Sequence, residues 1–386
     1  MKKLIVAMAV VSLAAAASAQ TYDGVYVSGL QQTISTGWNT TTNYIAGIAF
    51  DPTHQTGGTY DRIYLANRTG YNDRRGLYSF DLAAGTVSSR LALGDAPSGT
   101  DADVDSPHDV AVDSSGNAYM INADGGGGVY KITDPSGTPV SSWMLGHYGN
   151  GNDNDGRSIV MVPTGFGGGY DAGSDLLIYD SYYDGATNAI LAVQSTSTST
   201  ANDYDVLFTE YPRPSGALRI DSSNVDGMLY FARDNVINSA DLGDGTDRVY
   251  VTRLDSAGNT ERVYIDGIDP AAYSLLDDAI AINQDDGSLW FALRGTNSVE
   301  DMFRVDVANA ASTNGTYLAD SSVVIADLGL NITRSSMAIS PDGKQLAVGS
   351  YGNNLQVYDI IPEPATFGML ALVGAAMVWI RRTFMI

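Results

Sequence analysis

One histidine of this chain stands directly beside a carboxylate, at the start of an alternating nonpolar segment. His108 and Asp109 precede Val110-Ala111-Val112, a sequence typical of a strand. An imidazole next to an acid can accept and return a proton, so this pair is the candidate for acid/base catalysis. His54 lies in a turn rich in Gly and Thr and is expected to be exposed, and His147 follows a strand-like segment. A zinc site that uses all three histidines would require distant loops to meet, and it is disfavoured.

Four more charged residues stand at the corresponding place, immediately before other strand-like segments. They are Arg157, Asp277, Asp278 and Arg334. If these segments line one channel, the four side chains and the His108–Asp109 pair can converge to bind a sugar or an acid. In the alternative interpretation, which we favour, they bond to one another and to loop backbone and so hold the strands in register.

Two acidic loops are candidates for calcium, and no other cofactor is evident. Asp153 and Asp155 lie in an Asn-Asp-Asn-Asp-Gly segment, and Asp244 lies in a second loop of similar composition. Both match an EF-hand loop only in part. Asn, Asp and Gly are also the usual residues of plain turns. The sequence therefore predicts weak calcium binding at most.

A repeated strand pattern must position these residues. Each copy has an alternating nonpolar strand, a turn with Asp or Gly, a second strand with Tyr or Trp, and a third strand of the form Val-Tyr-x-hydrophobic. Six copies of this length predict an all-β protein, a six-bladed β-propeller over residues 20–361 with four strands in each blade. A two-domain β-sandwich is the rival interpretation, but it predicts no fixed period. The equivalent turn positions, 50 to 62 residues apart, are Asp51, Asp113, Pro163, Asp221, Asn283 and Ser340.

The sixth copy lacks a fourth strand, because the chain runs directly from it into the C-terminal segment. We expect residues 22–27 to supply that strand by pairing antiparallel with residues 355–360, which would leave no open sheet edge at the ring closure. The segments 50–64, 110–132 and 337–357 resemble blades of NHL- and WD-type propellers, although the WD dipeptide is absent. Fourth strands of the other copies are predicted at residues 86–93, 140–145, 206–211, 261–265 and 323–328.

Both ends of the chain carry targeting patterns. Residues 1–19 combine two lysines, a short nonpolar core and a small-residue cleavage site, which predicts a removed signal peptide. Residues 362–386 contain Pro362, Glu363 and Pro364, then an uncharged segment that predicts a short transmembrane helix, then Arg381 and Arg382.

This order resembles the PEP-CTERM sorting signal. The resemblance implies export across the inner membrane of a Gram-negative bacterium, cleavage by an exosortase-like membrane protease, and a mature protein at the cell surface or in the medium. An ordinary membrane anchor is the alternative.

Composition limits the function. The chain has no cysteine, which excludes thiol catalysis and metal–thiolate sites, and its net charge of −23 argues against nucleic acid as a partner. The interpretation that the sequence favours is a non-enzymatic propeller that binds extracellular polysaccharide or a surface protein, with a biofilm role by association. The alternative is a secreted propeller enzyme of lactonase, sugar dehydrogenase or lyase type that uses the His108 cluster.

Overall fold

The structure is a computed structural model in which the described part of the chain is entirely β, with no helix. The prediction of an all-β protein is therefore confirmed for this part. The described residues are 20–22, 25–35, 43–69, 75–88, 91, 106–123, 128–135, 139–146, 156–162, 176–180, 188–194, 204–210, 216–221, 228–233, 239–241, 245–255, 260–295, 300–305, 311–313, 316–325, 336–349 and 354–362.

Short strands follow one another along the chain. In chain order they are β1 (Gln20–Tyr22), β2 (Val25–Ser35), β3 (Asn43–Phe50), β4 (Gln55–Thr56), β5 (Thr59–Tyr60), β6 (Arg62–Thr69), β7 (Gly76–Asp81), β8 (Thr86–Val87), β9 (Ser106–Val112), β10 (Ala118–Ala123), β11 (Gly128–Thr133), β12 (Val140–Gly146), β13 (Gly156–Met161), β14 (Leu176–Asp180), β15 (Asn188–Val193), β16 (Tyr204–Glu210), β17 (Gly216–Asp221), β18 (Met228–Arg233), β19 (Ser239–Asp241), β20 (Asp247–Asp255), β21 (Thr260–Asp266), β22 (Tyr273–Ile282), β23 (Leu289–Gly295), β24 (Glu300–Val305), β25 (Ala311–Thr313), β26 (Thr316–Ile325), β27 (Ser336–Ile339), β28 (Gln345–Gly349) and β29 (Asn354–Pro362). The described connections after β3, β9, β22 and β27 are short turns that contain Asp, Asn or Gly.

The strands form antiparallel meanders that start from an inner strand. Three sheets have the orders β3-β6-β7-β8, β9-β10-β11-β12 and β13-β14-β15-β16. The runs β17-β18-β20-β21 and β22-β23-β24-β26 are joined into one larger sheet, because the first half of β26 pairs with β21 in parallel. The last sheet has the order β27-β28-β29-β2-β1.

The inner strands are neighbours in space. β3 contacts β9, β9 contacts β13, and the contacts continue through β17, β22 and β27 back to β3. A cyclic contact between the first strands of successive meanders is the arrangement of a β-propeller, with the inner strands around a central channel. The fold is propeller-like, as the sequence period predicts.

Alternation of large and small side chains along the inner strands suits sheets that converge on an axis. Ile48 and Phe50 of β3 pack against the sheet of β27, whereas the intervening Ala49 packs towards the sheet of β9. The small residue allows the sheets to approach near the axis. Each fully buried large side chain stabilises the fold by roughly 1.5–3 kcal/mol. Alanine takes this central position in four inner strands, at Ala49, Ala111, Ala281 and Ala338.

The turns after β3 and β9 are fixed by an aspartate at the position that the repeat identified. The carboxylate of Asp51 accepts hydrogen bonds from Thr53 N–H (2.9 Å) and from the Tyr64 hydroxyl (3.0 Å) of the second strand. Asp113 accepts equivalent bonds from Ser115 N–H (2.9 Å) and the Tyr119 hydroxyl (3.0 Å). Recurrence of Asp and Tyr in the sequence is therefore a recurrence of one capped turn.

The last sheet is completed by the N-terminal part of the chain. β2 pairs antiparallel with β29, with Val27 opposite Ile360 and Ile34 opposite Leu355. The expected single strand over residues 22–27 is instead a hairpin, in which Tyr22 belongs to β1 and pairs with Val25. A register shift between Ser28 and Gln32 allows the longer β2 to pair along the whole of β29, as far as Ser35 opposite Asn354.

Candidate functional site

Of the residues that the sequence placed ahead of the inner strands, His108, Arg157, Asp277 and Asp278 lie at β-bulges. The pairing of β9 with β10 steps over His108, since Asp109 pairs with Ile121 and Pro107 with Asn122. The pairing of β13 with β14 steps over Arg157 in the same way. In β22 it steps over residues 276–279, which include Asp277 and Asp278, and in β3 it steps over Ala46.

A bulge turns a side chain away from the direction that the strand would give it, and bulges are over-represented beside active sites. Four inner strands carry a bulge near the same end. We name this end of the channel the bulged mouth and define it by the bulges at Ala46, His108, Arg157 and residues 276–279.

His108 is 3% exposed and lies against Arg68, which follows the buried Asn67 in β6. The Nη1 atom of Arg68 contacts Nε2 of His108. A guanidinium only donates hydrogen bonds, so Nε2 can act only as an acceptor towards Arg68. The pair brings a proton-transfer group and a permanent cation together between two sheets.

Asp109 has a different role, since each of its oxygens accepts hydrogen bonds from the protein. Oδ2 accepts from Ser158 Oγ (2.6 Å) and from the N–H of Ile159 (3.2 Å) in the next sheet, and Oδ1 accepts from Val110 N–H (2.9 Å). Asp109 is 1% exposed. The geometry matches the register-holding interpretation for this residue, and Asp109 positions the mouth by joining β9 to β13.

The backbone of β3 approaches the backbone of β9 closely at Asp109. A Cβ added to Gly47 would lie 2.5 Å from the Cα of Asp109, a distance that side chains do not tolerate. Glycine at position 47 therefore permits β3 and β9 to meet at the mouth.

Two buried amides occupy matched positions beside the mouth. Asn67 in β6 and Asn122 in β10 are both fully buried, each at the third position after the tyrosine of its second strand. The sequence analysis missed Asn67, Asn122 and Arg68. The signal was present in the repeat, as Tyr-Leu-Ala-Asn in one copy and Tyr-Met-Ile-Asn in the next.

Several predicted site residues fall outside the part that the structure describes. For Arg157, Asp277, Asp278 and Pro362 only the backbone is described, within β13, β22 and β29. Outside the described residues altogether lie Arg334, the calcium candidates Asp153, Asp155 and Asp244, and the sorting-signal residues Glu363, Pro364, Arg381 and Arg382.

No group of three or more His, Asp or Glu side chains that could hold a metal ion occurs among the described residues. In that same part of the chain, no helix is long and apolar enough to cross a membrane. His54 is partly exposed, as expected, and its Nδ1 atom contacts the carboxylate of Asp61 in the turn beyond β3.

No family model and no curated protein matches the chain. Solved structures do match at low identity. A protein of unknown function from Bacteroides thetaiotaomicron is 11% identical, with a TM-score of 0.49, over 83% of this chain and 70% of its own. Regucalcin, a calcium-binding protein from Agrobacterium tumefaciens, is 16% identical, with a TM-score of 0.48, over 87% and 97%. Hydrazine synthase from Kuenenia stuttgartiensis is 13% identical, with a TM-score of 0.44, over 83% and 96%.

These neighbours are β-propeller-like proteins, in agreement with the strand arrangement. The comparison corrects one preference of the sequence analysis. The sequence favoured a protein that is not an enzyme, whereas the solved structures that this chain resembles include regucalcin and a protein named as a synthase. The preference for a non-enzymatic protein was wrong and is not maintained.

Proposed function

We propose that the chain is an exported propeller enzyme that acts on a small sugar acid or its lactone at the bulged mouth. The observation that carries the proposal is the set of bulges at one end of the inner strands, with the buried His108–Arg68 contact at one of them. Titratable groups held in buried positions beside a channel are typical of catalytic sites.

The chemistry follows from what the two side chains can supply. In lactone opening, the oxygen of water bonds to the carbonyl carbon, the ring C–O bond breaks, and a proton passes from water to the leaving oxygen. His108 relays that proton, and Arg68 stabilises the negative charge that develops on the carbonyl oxygen. A carboxylate on the substrate competes with Nε2 of His108 for the guanidinium of Arg68. Asp109 contributes only by positioning, through its bonds to Ser158 and Ile159.

The proposal includes a six-bladed ring, with residues 1–19 removed on export and residues 362–386 recognised by an exosortase-like protease. Two features support the ring: the cyclic contact of the inner strands and the pairing of β2 with β29. The mature enzyme would act at the cell surface or in the medium. Intact-mass measurement of the native protein tests the processing, since a mass that still includes residues 367–386 would show that the tail is only an anchor.

The enzymatic proposal is tested with purified mature protein and a panel of aldonolactones and sugar acids. His108→Ala should lower kcat/KM by at least a hundredfold, and Arg68→Ala should raise KM more for carboxylated substrates than for neutral ones. His54→Ala is the matched control, because His54 also contacts a polar side chain but lies beyond the opposite end of β3. Equal activity of the His108 and His54 variants, with both folded, would refute the role of the mouth.

A further inference from the structure

The central channel contains a cavity of about 230 Å³, below the bulged mouth. Three consecutive residues from each of β3, β9 and β13 line it, together with residues of β22 and β27 and of the turns that follow them. All of the described lining side chains are nonpolar except Gln284, at the far rim.

The four central alanines all line the cavity but are covered to different degrees. Ala111 and Ala281 are buried. Ala49 and Ala338 line the cavity and remain half-buried, as do Val112, Met161 and Ile339. Leaving nonpolar surface in contact with water is unfavourable by about 25 cal/mol per Å², so a nonpolar ligand that covers these side chains gains that free energy.

The size of the cavity sets the size of the ligand. An aliphatic cavity of roughly 150 Å³ is large enough to hold benzene. A volume of 230 Å³ is then suited to a ligand of roughly nine non-hydrogen atoms, such as a bicyclic aromatic or a short branched alkyl group. No described side chain of the lining is charged, so a neutral group is favoured over a sugar or a carboxylate.

We infer that the channel is a binding site for a neutral, nonpolar group of about this size, separate from the polar chemistry of the mouth. The site does not depend on the proposed function, since it rests on volume and lining alone. The mouth and the channel differ in the ligand they select: the mouth takes an anion or a sugar, and the channel takes an aromatic or aliphatic group.

Indole and naphthalene are the probes, with glucose as a polar probe of similar size, and binding is measured by saturation-transfer NMR and by thermal shift. Indole and naphthalene should bind and raise the melting temperature, whereas glucose should not compete with them. Ala338→Val and Ala49→Val each place two methyl groups into the cavity and should weaken indole binding at least tenfold. The matched control is Ala84→Val in the exposed turn after β7, which should leave it unchanged.

Xenon-pressurised crystals provide a measurement that does not depend on the variants. Xenon density between Ala49 and Ala338 is expected. The inference is overturned if neither aromatic probe binds, if the two cavity variants bind indole as tightly as the control does, or if xenon is absent from the channel.

Discussion

Replacement of Asp109 by alanine should destabilise the protein strongly, because it leaves buried donors without their acceptor. The carboxylate accepts bonds from Ser158 Oγ, Ile159 N–H and Val110 N–H, and Ser158 and Asp109 are both almost completely buried. Each buried donor left unsatisfied costs about 1–3 kcal/mol, and the Asp109 bonds are of the stronger, charge-assisted kind. Partial relaxation and water access reduce the sum, so we expect a loss of about 3–5 kcal/mol.

Urea denaturation followed by tryptophan fluorescence measures this loss. Ser158→Ala removes one donor together with its need for an acceptor, and should cost only about 1–2 kcal/mol. The double variant should be less destabilised than the sum of the two single variants, since the two residues share one bond. A loss below about 1 kcal/mol for Asp109→Ala would refute the reasoning that Asp109 holds β9 against β13.

Three further predictions concern the backbone, pH and metal. Gly47→Ala should lower the free energy of unfolding, measured by urea denaturation, by about 2 kcal/mol or more, because its Cβ would lie 2.5 Å from a backbone atom. Gly57 has a positive φ but open space around it, so Gly57→Ala should lower the free energy of unfolding by only about 1 kcal/mol. Burial acts to raise the pKa of Asp61, but hydrogen bonds from His54 and Thr56 outweigh it, so the pKa is lowered. The pKa of Asp342 is lowered in the same way, because hydrogen bonds from Ser340 and Lys344 outweigh burial. The two carboxylates therefore contribute fully to the free energy of unfolding above about pH 5, and this contribution is lost as the pH falls through their lowered pKa values. In Asp61→Asn, the free energy of unfolding should fall less steeply on the acid side of its pH dependence. A chelator should lower the melting temperature by less than about 2 °C, because the acidic loops match a calcium site only in part, and a fall of many degrees would contradict that interpretation.

The repeat made the fold accessible from the sequence, because each copy uses the same local physics. Asp51 and Asp113 were aligned as turn residues, and both cap their turns and receive a bond from the tyrosine of the next strand. The large–small–large pattern at residues 48–50 and 337–339 was visible in the sequence, and it corresponds to the two faces of an inner strand.

The features that could not be predicted from the sequence are those set by strand register, namely the β1–β2 hairpin and the β-bulges. The hairpin of β1 and β2, in which Tyr22 pairs with Val25, lies inside what the sequence analysis treated as one alternating segment. The bulges at His108 and Arg157 have no sequence signal of their own, because an extra residue changes the pairing partner and leaves the residue types unchanged.

The contacts of the candidate site could be predicted from the sequence only in part. His108 was recognised as the mouth histidine, but its neighbour Arg68 comes from another sheet, 40 residues earlier, and spacing along the chain cannot reveal that contact. Asp109 was assigned as its chemical partner because the two are adjacent in sequence. Asp109 instead bonds to Ser158 in the following sheet, whereas His108, at the bulge, contacts Arg68 in the preceding sheet.

A crystal structure of the mature protein soaked with an aldonic acid tests the central claim most directly. The proposal predicts density at the bulged mouth, with the carboxylate of the ligand within hydrogen-bonding distance of Arg68 and its hydroxyl groups close to His108. Ligand density elsewhere on the sheets, or a mouth that stays without ligand at concentrations where the protein turns over its substrate, would contradict it.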